Sequence, residues 1–567
     1  MTPIVAPSRR DLFLTAVAGA AFNGCGTETH HPRRLRYLMR RDINTVDPVQ
    51  SPEACILSAL FEPLIQPHPE TMQPMAGLAT HYLIENDGTR YTFYLRGHHA
   101  PQGTSLAAAD CLSLEFTRGR KGAPFAIPAR WSDGTTITAE DCVHSWRRYF
   151  DPKSANGDAY MFFCIAGAES VNSATIPPEE LGVRVVDRFA FQVDLVKPTP
   201  LFLMLCFTAI ATPRHVMELA RRDRRESLWT EPGRIVTSGP FLLRESRLHE
   251  RTVVARNPHY FDAAFVGVDE IEFSSADGIT VVNLFRAGLA DSMEGRVLPL
   301  QLAPGMKRDT ALHVLPACAS HNWRISANRP PMNNLALRYA LNMATDKDAI
   351  VRFLGMGQRA AKTRVPPLDG YPSPANLPVE VGDRLCNVLE FDPRTAREIW
   401  QSTPHAPARL TIHHPALTDS RLLAEIQQHQ WRQNLGIETN IQAWEPAAYI
   451  QSVMYDGDFV GVAEDSYAAN FPDPYDLLSL YTQTYRSWSD PAFTAKLSAA
   501  TAITNPVLRM KELAECEAGL LRAMPIIPLY YDAWVYLERP EVHGLHLSPL
   551  GVPAFKYAWI DSNRGTQ

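Results

Sequence analysis

The sequence predicts an α/β protein with more than one sheet and two or three domains. Three observations carry this expectation. The chain has 567 residues, more than one hydrophobic core ordinarily organises. Hydrophobic residues make up 45% and charged residues 20%, the balance of a soluble globular protein. Short runs of strand character are interspersed with runs of helical periodicity along the whole length. The 45 prolines and 31 glycines are scattered, which implies many turns between these elements.

The elements follow in order. Residues 1–26 read as an export signal. Ser8-Arg9-Arg10-Asp11-Leu12-Phe13-Leu14 resembles a twin-arginine signal, and the apolar run 12–22 behind it is too short for a permanent anchor. Phe22-Asn23-Gly24-Cys25 ends the run in the manner of a lipoprotein processing site. Cys25 is therefore the candidate lipidation residue, with an ordinary cleaved signal as the alternative. Strands are expected near 91–95, 183–186, 189–195, 251–255, 271–273 and 322–326. Helices are expected near 141–149, 281–288, 335–344, 395–401 and 422–434. The apolar stretch 201–210 is bounded by Pro198, Pro200 and Pro213, so it reads as core and not as membrane.

The stretch 131–152, WSDGTTITAEDCVHSWRRYFDP, holds the densest local signals. Asp133-Gly134 marks a tight turn, and Thr136 to Thr138 a short extended run. Thr138 with Asp141 has the spacing of a capped helix start. Val143, Trp146 and Phe150 (or Tyr149) recur at helical spacing, and Asp151-Pro152 ends the helix. Ahead of it, residues 97–129 carry His98-His99 and the basic cluster Arg118-Gly119-Arg120-Lys121-Gly122. They read as a surface insertion with a solvated basic loop. A histidine pair lacking a third ligand predicts no metal site.

Charge and cysteine use exclude several classes. The net charge of −6 leaves no basic footprint for nucleic acid. The nine cysteines form no CxxC pair and no zinc spacing; most are expected to be small buried apolar residues, with some pairing open in an oxidising compartment. No GxSxG, HExxH, Walker A or dinucleotide fingerprint occurs. No enzyme, cofactor or metal is expected.

Seven blocks in one order resemble the family 5 solute-binding proteins, the oligopeptide and dipeptide receptors of ABC importers. They are Thr45-Val46-Asp47-Pro48 with Leu60-Phe61-Glu62-Pro63-Leu64; the stretch 131–152; Ser238-Gly239-Pro240-Phe241 with Arg256-Asn257-Pro258-His259-Tyr260-Phe261; 283–288; 333–350; Phe471-Pro472-Asp473-Pro474; and 524–531. The resemblance covers about Asp42 to Pro549. It implies a periplasmic-binding-protein type II fold: two α/β lobes joined by a hinge, plus an extra domain. The expected partition is 33–61, 219–318 and 526–567 for lobe I, 62–218 for the extra domain with insertion 97–129, and 319–525 for lobe II. Lobe closure over a ligand would couple binding to shape.

The resemblance also implies where ligand would lie. Family receptors add an extended peptide as a strand, and the matching receptor segment is 50–53, with Ser51 and Glu53 as candidates since Pro52 has no N–H. An aspartate that pairs with the ligand amine in the family is Asn470 here, which keeps a hydrogen-bond acceptor without the charge. Glu464 and Asp465 fall where some relatives carry arginine for the ligand carboxylate. They are candidates for a relocated negative charge, the alternative being a solvated loop. Tyr467 and Tyr160 match aromatic residues of the cleft; Trp444 and Tyr455 flank the same segment. The function implied is an extracytoplasmic, monomeric receptor, in the periplasm or at the outer face of the cytoplasmic membrane, that delivers peptides to ABC permease subunits. It would meet membrane only through a possible lipid anchor. Alternatives are a receptor of the same fold for a metal chelate, haem, opine or oligosaccharide, or one that serves signalling or chaperoning.

Overall fold

The computed structural model describes residues 33–51, 53–299 and 302–561. The export signal, Cys25 and Pro52 lie outside the described residues. The backbone builds three main sheets, each with its own apolar core. The first has five strands in the order Ser292–Met293, Arg34–Met39, Glu270–Ser275, Arg251–Arg256 and Phe241–Arg247, mixing parallel and antiparallel pairs. The second is an antiparallel sheet in the order Thr104–Ser105, Ala79–Glu85, Arg90–Leu95, Ala190–Asp194 and Val183–Asp187. The third has six strands: Arg359–Ala360, Ile526–Leu537, Leu312–Ile325, Val462–Ala468, Arg409–Pro415 and Glu438–Trp444.

The long strands Leu312–Ile325 and Ile526–Leu537 pair antiparallel through two register shifts. The first has 14 residues and at roughly 3.3 Å per residue is long enough to serve two cores. Ala317, Ala319 and Val535 pack with Leu38, Val281 and Phe285 beside the first sheet. Trp323, Ile325, Ile527 and Leu529 pack with Leu337, Trp400 and Trp431 on the other side. The boundary expected at 318/319 falls inside the strand Leu312–Ile325, and Ile526–Leu537 is a member of the six-stranded sheet. The two strands, paired over 312–316 and again over 320–324, run between the two cores where separate segments were expected.

The capped helix of the 131–152 stretch runs Ala139–Phe150. The Thr138 N–H donates to Asp141 Oδ2 at 2.9 Å, which satisfies a donor that helix geometry would leave open. Gly134, at φ +88°, makes the turn ahead of it, where a side chain would be strained. Trp146 and Phe150 are buried in the second core with Phe93, Phe162 and Phe191.

Gly119, Arg120 and Lys121 of the insertion are exposed, as expected of a basic loop, but other parts of 97–129 pack onto the fold. Thr104–Ser105 adds an edge strand to the second sheet, opposite Tyr82 and His81. Gly103 permits this approach, because a Cβ there would sit 2.2 Å from the Tyr82 carbonyl. Phe116 is fully buried with Phe265 and Tyr557. Arg118 and Arg120 donate to the carbonyls of Phe265 and Ala264, and the Ala123 N–H donates to Asp262 at 2.8 Å. The basic cluster therefore grips backbone carbonyls belonging to another part of the fold. His98 contacts Asp187 at 3.1 Å. The eight described cysteines are all free; Cys55, Cys142, Cys206, Cys318, Cys386 and Cys516 are buried.

Candidate ligand-binding site

The segment from Val462 to Gln483 leaves a strand, Val462–Ala468, and enters a helix, Pro474–Gln483. Asp473 caps that helix by accepting from the Tyr475 N–H at 2.9 Å, and Pro474 suits its first turn. Between the two elements, Phe471 plugs into the core of the second sheet. The loop that carries Asn470 is thus anchored at a junction between two cores.

Four acids lie on this segment; two pair with arginines and one contacts a histidine. Glu464 is buried and its Oε1 sits 2.9 Å from His321 Nε2 and 3.0 Å from the Ser420 hydroxyl. Asp465 is 0% exposed and pairs with the equally buried Arg364 at 3.0 Å; it also accepts from the Tyr485 hydroxyl at 2.8 Å. Asp473 takes Arg509 in a two-pronged bond at 2.6 and 2.9 Å. The fourth, Asp476, is 6% exposed. It accepts from the Asn470 N–H at 2.7 Å and from the Tyr467 hydroxyl at 3.3 Å, and among the described residues it has no ion-pair partner. Burial pushes its carboxyl up to about 7, against the pull of these hydrogen bonds.

Tyrosines surround this acid. Tyr467 is half-buried, and its phenol is pushed far up by burial and then by Asp476 and Tyr160. Tyr160 is 43% exposed and Tyr455 47%. The Tyr160 phenol is pushed up to about 12 by burial and then by Asp158, Asp476, Tyr455 and Tyr475, which puts all of these close to it. Asn470 is exposed; its Nδ2 donates to Tyr467 at 2.9 Å. Arg364 stacks over Tyr467 and Tyr481, 5.8 Å from each ring.

The structure therefore brings Tyr467 and Asn470 together by a hydrogen bond, and the Tyr160 phenol feels Asp476 and Tyr455. It does not leave Glu464 or Asp465 as ligand-facing charges or as a solvated loop: both are buried, Glu464 against His321 and Ser420 and Asp465 against Arg364. Ser51 and Glu53, expected in a receptor strand, lie in irregular chain after the turn at 48–50. The Ser51 N–H is spent on the Asp47 carbonyl at 2.8 Å, and the Glu53 N–H on the Ser51 hydroxyl at 3.2 Å. Glu53 then precedes the helix Ala54–Leu60, so neither N–H is free to extend a ladder. Among the described residues, no hydrogen bond or ion pair joins Ser51 or Glu53 to the tyrosine cluster. Trp444 donates to His413 Nδ1 at 3.1 Å and packs against a small core.

Two residues escaped sequence reasoning. Asp476 stands in a first helical turn, where an acid normally needs no explanation beyond the helix dipole. Arg364 sits in irregular chain about a hundred positions from Asp465, with no local pattern to flag it. Among the described residues no group of three or more His, Cys, Asp or Glu side chains could hold a metal ion.

The sequence profile of the bacterial extracellular solute-binding proteins, family 5, matches residues 128–489, well over half of the chain. The chain belongs to this family. Family 5 relatives include the periplasmic oligopeptide-binding protein OppA of Escherichia coli (strain K12), 28% identical over 431 residues, which span 73% of this chain and 77% of OppA. The periplasmic murein peptide-binding protein MppA of the same organism is 25% identical over 533 residues, 92% of this chain and 91% of MppA. The crystal structure of a Borrelia burgdorferi periplasmic oligopeptide-binding protein superposes with a TM-score of 0.74 at 23% identity, covering 93% of this chain and all of that one. The fold is the type II periplasmic-binding-protein fold, in its family 5 form of two lobes and an extra domain. Its members are solute-binding proteins, and the location is extracytoplasmic.

Proposed function

We propose that this protein is a peptide receptor that hands its ligand to the permease of an ABC importer. The observation that carries this reading is the cluster of Tyr160, Tyr455, Tyr467 and Asn470 at the junction between the second and third cores. Aromatic walls and neutral hydrogen-bonding groups accept a peptide without reading each side chain. The names of OppA and MppA, both peptide binders, support the same ligand class. In this reading the paired strands Leu312–Ile325 and Ile526–Leu537 are the hinge, with one lobe around the first sheet and the other around the six-stranded one. The segment 1–26 takes the chain across the membrane through its twin-arginine-like signal, Cys25 being the residue that would carry a lipid. The receptor acts as a monomer.

Thermal denaturation with a panel of ligands tests the proposal. Peptides of two to five residues at 100 times their Kd should add about 2.7 kcal/mol of stability and raise the melting temperature. Nickel chelates, haem and oligosaccharides should leave it unchanged. A shift with one of those and with no peptide would replace this reading.

A further inference from the structure

Four arginines line up along the stretch from Ala264 to Asp269, at the seam between the insertion and the first sheet. Arg120 donates to the Ala264 carbonyl and Arg118 to the Phe265 carbonyl. Arg256 donates to the Val268 carbonyl at 3.2 Å and to Asp269 at 2.8 Å. Arg33 meets the same carboxylate through Nε at 3.3 Å, and its backbone N–H donates to it at 3.0 Å. Gly267 makes way for this row, since a Cβ there would stand 2.8 Å from Arg118 Nη1. Lys121 adds an exposed cation beside Arg120.

A carbonyl satisfies an N–H donor but supplies no counter-charge, so the row carries an excess of positive charge. Three acids touch it. Asp269 is shared by Arg33 and Arg256, Asp262 is held by the buried Lys556 at 2.7 Å, and Asp110 accepts the Gly122 N–H at 2.6 Å. Among the described residues, Arg118, Arg120 and Lys121 stand in no ion pair. Burial, and then Arg120, Arg33 and Arg256, push the Arg118 guanidinium down to about 10. The rest of the first sheet is balanced: Arg34 and Arg244 close on Glu270, and Arg251 on Glu245.

Arg33 lies eight positions after Cys25, the residue that would carry a lipid. Eight residues span at most about 28 Å when fully extended, so a lipid on Cys25 would bring phospholipid headgroups within that reach of Arg33. Guanidinium groups take phosphate through paired N–H donors, and each basic residue at an anionic bilayer surface strengthens binding about fivefold. We propose that Arg33, Arg118, Arg120, Lys121 and Arg256 form a surface that lies against anionic phospholipid headgroups. The receptor then stands on the membrane in one orientation instead of swinging on its tether. The insertion 97–129 supplies three of the five cations, which gives that segment a purpose. The proposal rests on the tether reading only for which face meets the bilayer. An acidic protein partner would need no such closeness to Cys25.

Sedimentation of the mature chain, produced without a lipid, with vesicles of phosphatidylcholine alone or in equal parts with phosphatidylglycerol tests this. The native protein should bind the anionic vesicles and not the neutral ones. Salt at about 1 M, which shortens the Debye length to about 3 Å, should release it. Arg120→Gln with Lys121→Gln should weaken binding about 25-fold, about fivefold for each cation. Arg221→Gln with Arg225→Gln removes the same charge from another exposed stretch and should leave binding unchanged. Equal losses in the two variants, or no preference for anionic vesicles, would overturn the surface. Saturable binding of inorganic phosphate that frees the protein from vesicles would overturn it by making the row a small-anion site. Binding of poly-glutamate through these residues without binding of vesicles would give the row to an acidic protein and overturn it too. Should the Arg120 change prevent folding, Lys121→Gln alone should cost about fivefold, and an unmoved affinity would sink the proposal. The mass of the N-terminal peptide from cells expressing the full chain reports the lipid separately: an unmodified Cys25 would remove the tether reading and leave the measured surface standing.

Discussion

At the scale of single residues, buried acids decide how this protein responds to pH. Besides Asp476, burial pushes Glu517 up to about 7 and Glu538 up to about 8. Glu517 accepts from the Val365 N–H and the Tyr371 hydroxyl, and Glu538 from the Ser292 hydroxyl. A carboxyl whose folded pKa is raised binds more protons folded than unfolded, so stability falls as pH climbs from the ordinary carboxylate range through the raised pKa. His144, His313, His413 and His546 are shifted down by burial. They work in the opposite direction, losing stability as pH drops below about 6.5. Lys347, lowered to about 7 by burial, opposes the carboxyls above neutrality, so the part that belongs to the carboxyls is the loss of stability between pH 6.5 and 8.0 that Glu538 contributes. Glu538→Gln should flatten that decline, which scanning calorimetry at pH 6.5 and 8.0 would register. The Arg364–Asp465 pair belongs to this scale as well. Two fully buried charges with one ion pair hold each other in place, and removal of either leaves the other stranded.

At the scale of elements, local signals were legible wherever they were local in cause. The turn at Gly134, the Thr138–Asp141 cap and the apolar face of Ala139–Phe150 are specified within a dozen residues, and the structure has all three. The expected strand at 322–326 emerged as the much longer Leu312–Ile325, because its first half pairs with Ile526–Leu537, some two hundred residues away. The packing of the insertion was missed for the same reason. Arg118 and Arg120 look like a solvated basic loop until the carbonyls of Phe265 and Ala264 are brought to them. The corrected view has a consequence: the insertion ties the second sheet to the loop at 262–267, with Phe116 as its anchor. Phe116→Ala should cost about 3–5 kcal/mol of stability, measured by urea denaturation, whereas Lys121→Ala on the same loop should cost almost nothing. Equal effects would return the insertion to the status of a surface loop.

At the scale of the whole molecule, the fold was readable because seven weak blocks in one order carry more information than any single motif. The candidate site was readable only in part. Tyr467 and Asn470, each matching a family landmark, are in hydrogen-bond contact in the structure. Glu464 and Asp465 were not placed correctly, because their partners His321 and Arg364 come from distant chain. Asp476 was invisible, since its significance lies in what it lacks. In the proposed reading, the cores and the two strands that run between them form a receptor that closes over one solute. The most direct test of that claim is mass spectrometry of whatever leaves the protein on denaturation, after it has been exported and purified without added ligand. The account predicts a mixture of short peptides. A single non-peptide solute would contradict it.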